Sequence, residues 1–144
     1  MVKKQELDRN LTVSGQVTAE DLQRLARDGV RTIINNRPDG EELGQLPAHE
    51  AARISQALGM TYLHLPVTSA GMGPGDAEAF AAAVGSSNGP VHAHCRSGTR
   101  STNLWMLRRL AHDDITVDGA RRWAAEQKAD IGAAMAAFER SRTR

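Results

Sequence analysis

Cys95 is the only cysteine among the 144 residues, and it lies within the octapeptide His94-Cys95-Arg96-Ser97-Gly98-Thr99-Arg100-Ser101. A short strand-like run, Gly89-Pro90-Val91-His92-Ala93, precedes that segment, and a helical pattern with Leu104, Leu107 and Ala111 on one face follows it. A strand, a tight loop containing glycine and a helix start collect backbone N–H groups around an anion. A cysteine at the head of such a loop is placed to react as its thiolate. Only about 3% of an ordinary thiol is ionised at pH 7, and making most of it thiolate takes about 4 kcal/mol of preferential stabilisation. Amide donors, the helix dipole and the guanidinium groups of Arg96 and Arg100 are sources of that stabilisation. The competing reading, a cysteine that only fills the core, leaves the flanking His, Gly, Arg and Ser unexplained.

The octapeptide assigns roles by residue type. Cys95 is the nucleophile and Arg100 the fork that orients an anionic group. Arg96, Ser97, Gly98, Thr99 and Ser101 form the anion-binding loop. Gly98 serves its geometry, and Ser101 either donates to the thiolate or caps the helix. His94 fixes the loop by bonding backbone, while His92 and His64 read as core histidines. Outside the loop, Arg37 and Asn35 are the candidate supporting residues. Lys3, Lys4, Arg140, Arg142 and Arg144 read as solvated ends.

The elements that must position these groups follow from periodicity and punctuation. Leu11–Ser14 reads as a short edge strand. Thr18 caps a helix with Asp21 at its third position, burying Leu22, Leu25 and Ala26. Val30–Ile34 is a buried strand and Asn35–Gly40 a loop. Pro47 starts a helix with Ala51, Ile54 and Leu58 inward and Gly59 as its stop. Met60–Leu65 is the next strand, Pro66–Gly75 a glycine-rich loop, and Ala77, Phe80, Ala81 and Val84 share a helix face. Two final helices, capped by Asp118 and Asp130, turn Trp123 with Ala124, and Ala134 with Met135 and Phe138, inward. Strands alternating with helices predict an α/β fold, a parallel-rich sheet flanked by helices and contained in one domain over 1–144. Ligands bind at the carboxyl ends of such strands, so the loops at Asn35–Arg37, Pro66–Gly75 and Cys95–Arg100 should converge.

The net charge of +1 gives no reason to expect nucleic acid or an anionic membrane as partner. No apolar segment follows the charged N-terminus, no run is long enough to span a bilayer, and a lone cysteine fits a reducing compartment. The expectation is a cytoplasmic protein without metal or other cofactor, since one Cys and five scattered His show no ligand spacing.

His94-Cys95-x-x-Gly98 with the following Arg100-Ser101 resembles the signature of protein tyrosine and dual-specificity phosphatases. Tyr62-Leu63-His64-Leu65-Pro66-Val67 followed by a loop, a helix and the cysteine strand resembles the order in dual-specificity enzymes. Ile34-Asn35-Asn36-Arg37-Pro38-Asp39-Gly40-Glu41 together with Cys95–Ser101 is similar to the bacterial phosphatase-like family named after beta-lactamase-hydrolase-like fusion proteins. The match covers about residues 11 to 112. The resemblance implies a phosphatase-like fold, and, because that domain also occurs fused to sulfide-handling enzymes, a sulfide-oxidising enzyme as partner.

Two departures from true phosphatases bear on the reaction. Phosphatases place five residues between cysteine and arginine, whereas here there are four. Losing one shortens the loop by up to about 3.5 Å and removes a donor, which suits a phosphoryl group poorly. The shorter form is similar to the loop of rhodanese-type sulfurtransferases, which carry a persulfide. In addition, Thr68-Ser69-Ala70-Gly71-Met72-Gly73 lacks the expected general acid. Asp76 is the nearest carboxylate, and its place in a helix first turn favours a structural role. Both departures point to a sulfurtransferase that passes sulfane sulfur from a small donor through Cys95 to an external low-molecular-weight thiol. Two alternatives stay open: a phosphatase working through a cysteinyl phosphate on a phosphoester, and a non-catalytic anion-binding or redox-sensing module.

Overall fold

The structure, a computed structural model, describes residues 2 to 143. Arg144 of the tail lies outside the described residues, as does Met1. Five strands, β1 (Gln5–Asp8), β2 (Leu11–Ser14), β3 (Thr32–Asn35), β4 (Thr61–His64) and β5 (Val91–His94), form one sheet in the order β1-β2-β5-β3-β4. β1 pairs antiparallel with β2, and every other pairing is parallel. The helices are α1 (Ala19–Arg27), α2 (Ala48–Ala57), α3 (Pro74–Gly85), α4 (Thr99–Ala111), α5 (Val117–Gln127) and α6 (Gly132–Arg142). None of them is long and apolar enough to cross a membrane.

β3 and β5 are buried on both faces, and their side chains alternate between two cores. Ile33 joins Val17, Leu22, Leu25, Ala51 and Met60 beneath α1 and α2. Ile34 joins Val13, Phe80, Ala93, Leu104 and Leu107 beneath α3, α4 and α6. Register puts His92 opposite Ile33 and Thr12, so the imidazole faces the α1–α2 side. There Thr12 Oγ1 and Ser14 Oγ meet its two ring nitrogens, each at 2.7 Å. Burial pushes His92 down to about 3, so it is a neutral, fully partnered core histidine.

The capping box of α1 forms as its sequence demands. Thr18 Oγ1 accepts from the Asp21 amide at 3.1 Å, and Asp21 Oδ2 accepts from the Thr18 amide at 2.9 Å. Other expectations are corrected. Leu11–Ser14 is not an edge, because the polar strand β1 covers it; Gln5, Glu6 and Asp8 make a strand that hydrophobic patterning overlooks and that suits an exposed border. Pro47 caps α2 rather than opening it, and Leu58 points outward at 37% exposure because the chain turns at Gly59 and Met60 takes the buried place. Ala111 is exposed, and Leu110 completes the α4 stripe. Thr116, not Asp118, caps α5 by accepting from the Gly119 amide, while Asp130 accepts from Gly132 just ahead of α6. The tail is partly engaged: Arg140 donates to the Met72 carbonyl, and Arg142 lies over the Phe138 ring.

Candidate active site

The three loops expected to converge do meet, and Asn36 joins them. Its amide donates to the His94 carbonyl at 2.8 Å, and its side-chain nitrogen donates to the Leu65 carbonyl at 2.9 Å. Its Oδ1 accepts from Ser101 Oγ at 2.8 Å. Ser101 is therefore spent on Asn36, which corrects the expectation that it donates to the thiolate. Both side chains are fully buried.

Cys95 leaves β5 at its carboxyl end, and its sulfur accepts from the Gly98 amide at 3.1 Å. Two glycines make that turn. Gly98 adopts φ +94, a left-handed value that side chains resist. Gly15 lies against the loop so closely that a Cβ there would meet the Arg96 carbonyl oxygen at 2.8 Å. Cys95 is fully buried, so its sulfur lies beneath the loop rather than on the surface. Ser97 and Thr99 bond one another through their hydroxyls at 3.0 Å on the exposed rim. Arg96 is exposed and reaches Glu42 at 3.6 Å.

Arg100 is held from outside. Its Nη1 donates to Glu41 Oε2 at 2.8 Å and to the Val67 carbonyl at 3.1 Å, while Nη2 donates to Glu41 Oε1 at 2.7 Å. Of the five guanidinium hydrogens, the two left over belong to Nε and the inner side of Nη2, and they share one edge. The Glu41 bond first, with Cys95 among the other contributors, holds the guanidinium above its usual range. Arg100 thus stands beside the sulfur with a bidentate edge ready for an anion.

Glu41 also accepts from Arg37 Nε at 2.9 Å. Chiefly through the Arg100 bond, its carboxyl is lowered to about 2. Arg37 is itself completely buried, and its link to Arg100 runs through Glu41. Gln16 Oε1 accepts from its Nη1, and Asn35 Oδ1 accepts from its backbone amide. Asn35 in turn donates to the Tyr62 hydroxyl. His64 Nε2 donates to the Arg37 carbonyl at 2.8 Å, so it too braces this loop. His94 reaches the Cys95 carbonyl only at 3.4 Å, and its Nε2 is buried with no partner among the described residues. Burial lowers His94 to about 4, leaving it neutral at physiological pH. In the first turn of α3, Asp76 spends its carboxylate on the Gly73 amide at 3.0 Å, capping the helix.

Sequence reasoning missed Gln16, Asn36, Glu41 and Glu42 as site residues. Asn36 and Glu41 lie inside the family-like motif. Nothing in linear spacing says that Glu41 meets Arg100, which is 59 positions away.

A parallel-rich sheet with a cysteine loop opening α4 defines a protein of the tyrosine- and dual-specificity-phosphatase fold. PTPMT1 in complex with PI(5)P shares it at a TM-score of 0.76 with 12% identity, over 95% of this chain and 92% of that one. The chain belongs to the family of the beta-lactamase hydrolase-like protein, phosphatase-like domain, which it matches over residues 5–112. A curated beta-lactamase hydrolase-like protein from Agrobacterium fabrum is 33% identical over 96% of this chain and 35% of its own length, and one from Xylella fastidiosa is 32% identical over 94% and 31%. The chain therefore spans about a third of the curated relatives it matches. A candidate phosphatase from Neisseria meningitidis is 36% identical with a TM-score of 0.77, over 88% of this chain and 89% of that one.

Proposed function

We propose that Cys95 is the nucleophile of a sulfurtransferase built on this cysteine-based scaffold. The observation that carries the reading is that Glu41, the carboxylate bonded to Arg100, is held by two guanidinium groups at once. Arg100 and Arg37 keep it ionised to about pH 2, so it has no proton to give an alkoxide at neutral pH. His94 is neutral and buried, and Asp76 is committed to its cap. Among the described residues the site thus lacks an evident general acid, a loss that ordinarily costs about 10²–10⁴ in rate for a poor leaving group. Thiolate and sulfite leave without a proton.

The reaction balances without a redox partner. The Cys95 thiolate attacks the outer sulfur of thiosulfate; the S–S bond of the donor breaks, sulfite leaves, and Cys95 carries a persulfide. An acceptor thiolate then attacks the outer persulfide sulfur and releases the Cys95 thiolate. Arg100 holds the donor's anionic end on its Nε–Nη2 edge. With no second cysteine, the acceptor is external, and a low-molecular-weight thiol fills that role.

The second reading is phosphomonoester hydrolysis through a cysteinyl phosphate, supported by the phosphatase neighbours. One preparation assayed for both reactions separates the two. Sulfur transfer predicts a single sulfur added to Cys95 by thiosulfate, visible by mass spectrometry, removed by thiol and absent in Cys95→Ser. Failure of every sulfane donor to load Cys95, together with turnover of an unactivated phosphomonoester, overturns it. One residue inserted between Thr99 and Arg100 should shift activity toward phosphate.

A further inference from the structure

A second concave surface shares a wall with the cysteine loop. Ser97, Gly98 and Thr99 form that wall, and the Gly98 nitrogen lies 3.1 Å from the Cys95 sulfur. The groove encloses about 640 Å³, within the range that takes a small-molecule ligand. Lys3, Lys4 and Lys128 line it, against one carboxylate, Asp130, whose Oδ1 is bonded to the Gly132 amide. Among the described residues only Lys4 has an ion-pair partner, Asp28 at 3.6 Å, which leaves Lys3 and Lys128 as unneutralised cations. Lys128 stands at φ +54 after α5, a left-handed position where glycine is the usual choice. A Gln5–Gln127 side-chain bond also borders the groove.

We propose that this groove binds the carboxylate-bearing tail of the low-molecular-weight thiol or persulfide that exchanges sulfur with Cys95, an assignment that rests on the sulfurtransferase reading. Two cationic zones border the cysteine loop: Arg100 at its helix end, and the lysines in the groove walled by Ser97, Gly98 and Thr99. A ligand that meets both carries anionic groups apart from its sulfur, as a γ-glutamyl tripeptide thiol does. Thiosulfate has a single anionic end, and in this assignment that end goes to Arg100.

The test is binding of S-methylglutathione, which cannot transfer sulfur, measured by calorimetry on the wild type and on Lys3→Glu and Lys128→Gly. Each substitution should weaken binding about 2–5-fold, as expected for a partly exposed ion pair, and added salt should weaken wild-type binding further. Lys128→Gly relieves a left-handed backbone, so its urea midpoint should hold or rise while affinity falls, separating lost charge from lost fold. Loading of Cys95 by thiosulfate should be unchanged in both variants, while the KM for glutathione persulfide rises. No binding of S-methylglutathione, equal affinity across the three proteins, or binding of an acidic peptide alone overturns the groove assignment. Lysine-dependent binding without sulfur loading from any donor overturns the sulfurtransferase reading and leaves the groove as a carboxylate site.

Discussion

Glu41 lies across the end of the Arg100 guanidinium, with Oε1 2.7 Å from Nη2 and Oε2 2.8 Å from Nη1. This pairing leaves the Nε edge as the guanidinium's remaining face, and on the sulfurtransferase reading Glu41 is the residue that positions it. Glu41→Gln keeps the shape and loses the charge. Charge-assisted hydrogen bonds contribute about 1.5–3 kcal/mol, so kcat/KM for sulfur transfer should fall by about 10- to 100-fold. Alkylation of Cys95 by a neutral reagent, which needs no anion fork, should change much less. Equal losses in both would mean that the substitution only damages the fold.

The same pair sets an acid limit. Glu41 is lowered in the folded chain to about 2, so its contribution to stability is present above the ordinary carboxyl range and is lost as pH falls toward 2. The buried histidines act earlier. His92 and His94, lowered to about 3 and about 4 mainly by burial, stay neutral in the fold while the unfolded chain takes up protons near pH 6.5. Stability should therefore fall as pH drops below about 6.5, by about 2 kcal/mol per histidine at pH 5. Urea midpoints measured from pH 7.5 to 5 check the sum. Histidine ring signals in NMR should show two imidazoles that do not titrate across that range.

Ser101→Ala tests a contact that residue type alone assigns wrongly. The hydroxyl donates to Asn36 Oδ1 inside the protein, so its removal leaves a buried acceptor without its donor and should cost about 1–3 kcal/mol. Thermal unfolding reads that loss. A large drop in Cys95 alkylation rate with little change in stability would instead show that Ser101 serves the thiolate.

Part of this site was visible in the chain because local chemistry dictates it. Gly98 must follow the cysteine where the backbone turns left-handed, and Thr18 with Asp21 makes a capping box from spacing alone. The apolar run Val30–Ile34 announces β3 as a strand covered on both faces, whereas β5 carries two histidines that are nonetheless buried. Tertiary contacts were not visible. Arg37 reads as a supporting residue by type, but nothing local says that Gln16 and Glu41 are the groups that hold it in the interior. The strand β1 carries too much charge to stand out, yet it displaces β2 from the edge. Lys3 and Lys4 read as a solvated end until that strand brings them beside Lys128.

Asp76→Asn separates the two chemistries most directly. The Asp76 carboxylate accepts from the Gly73 amide at 3.0 Å in the first turn of α3, where it also meets the positive end of the helix dipole. If capping is its whole role, the amide variant loses about 1 kcal/mol of stability and keeps its sulfur-transfer rate. A proton donor behaves differently: an enzyme that protonates an alkoxide through Asp76 would lose about 10²–10⁴ in kcat on an alkyl phosphate. It would lose far less on an aryl phosphate with a good leaving group, and the alkaline limb of its pH profile would disappear. We expect unchanged sulfur transfer, a small drop in melting temperature and no leaving-group dependence. Steady-state rates on thiosulfate and on paired alkyl and aryl phosphates, with a melting curve for each protein, measure all three.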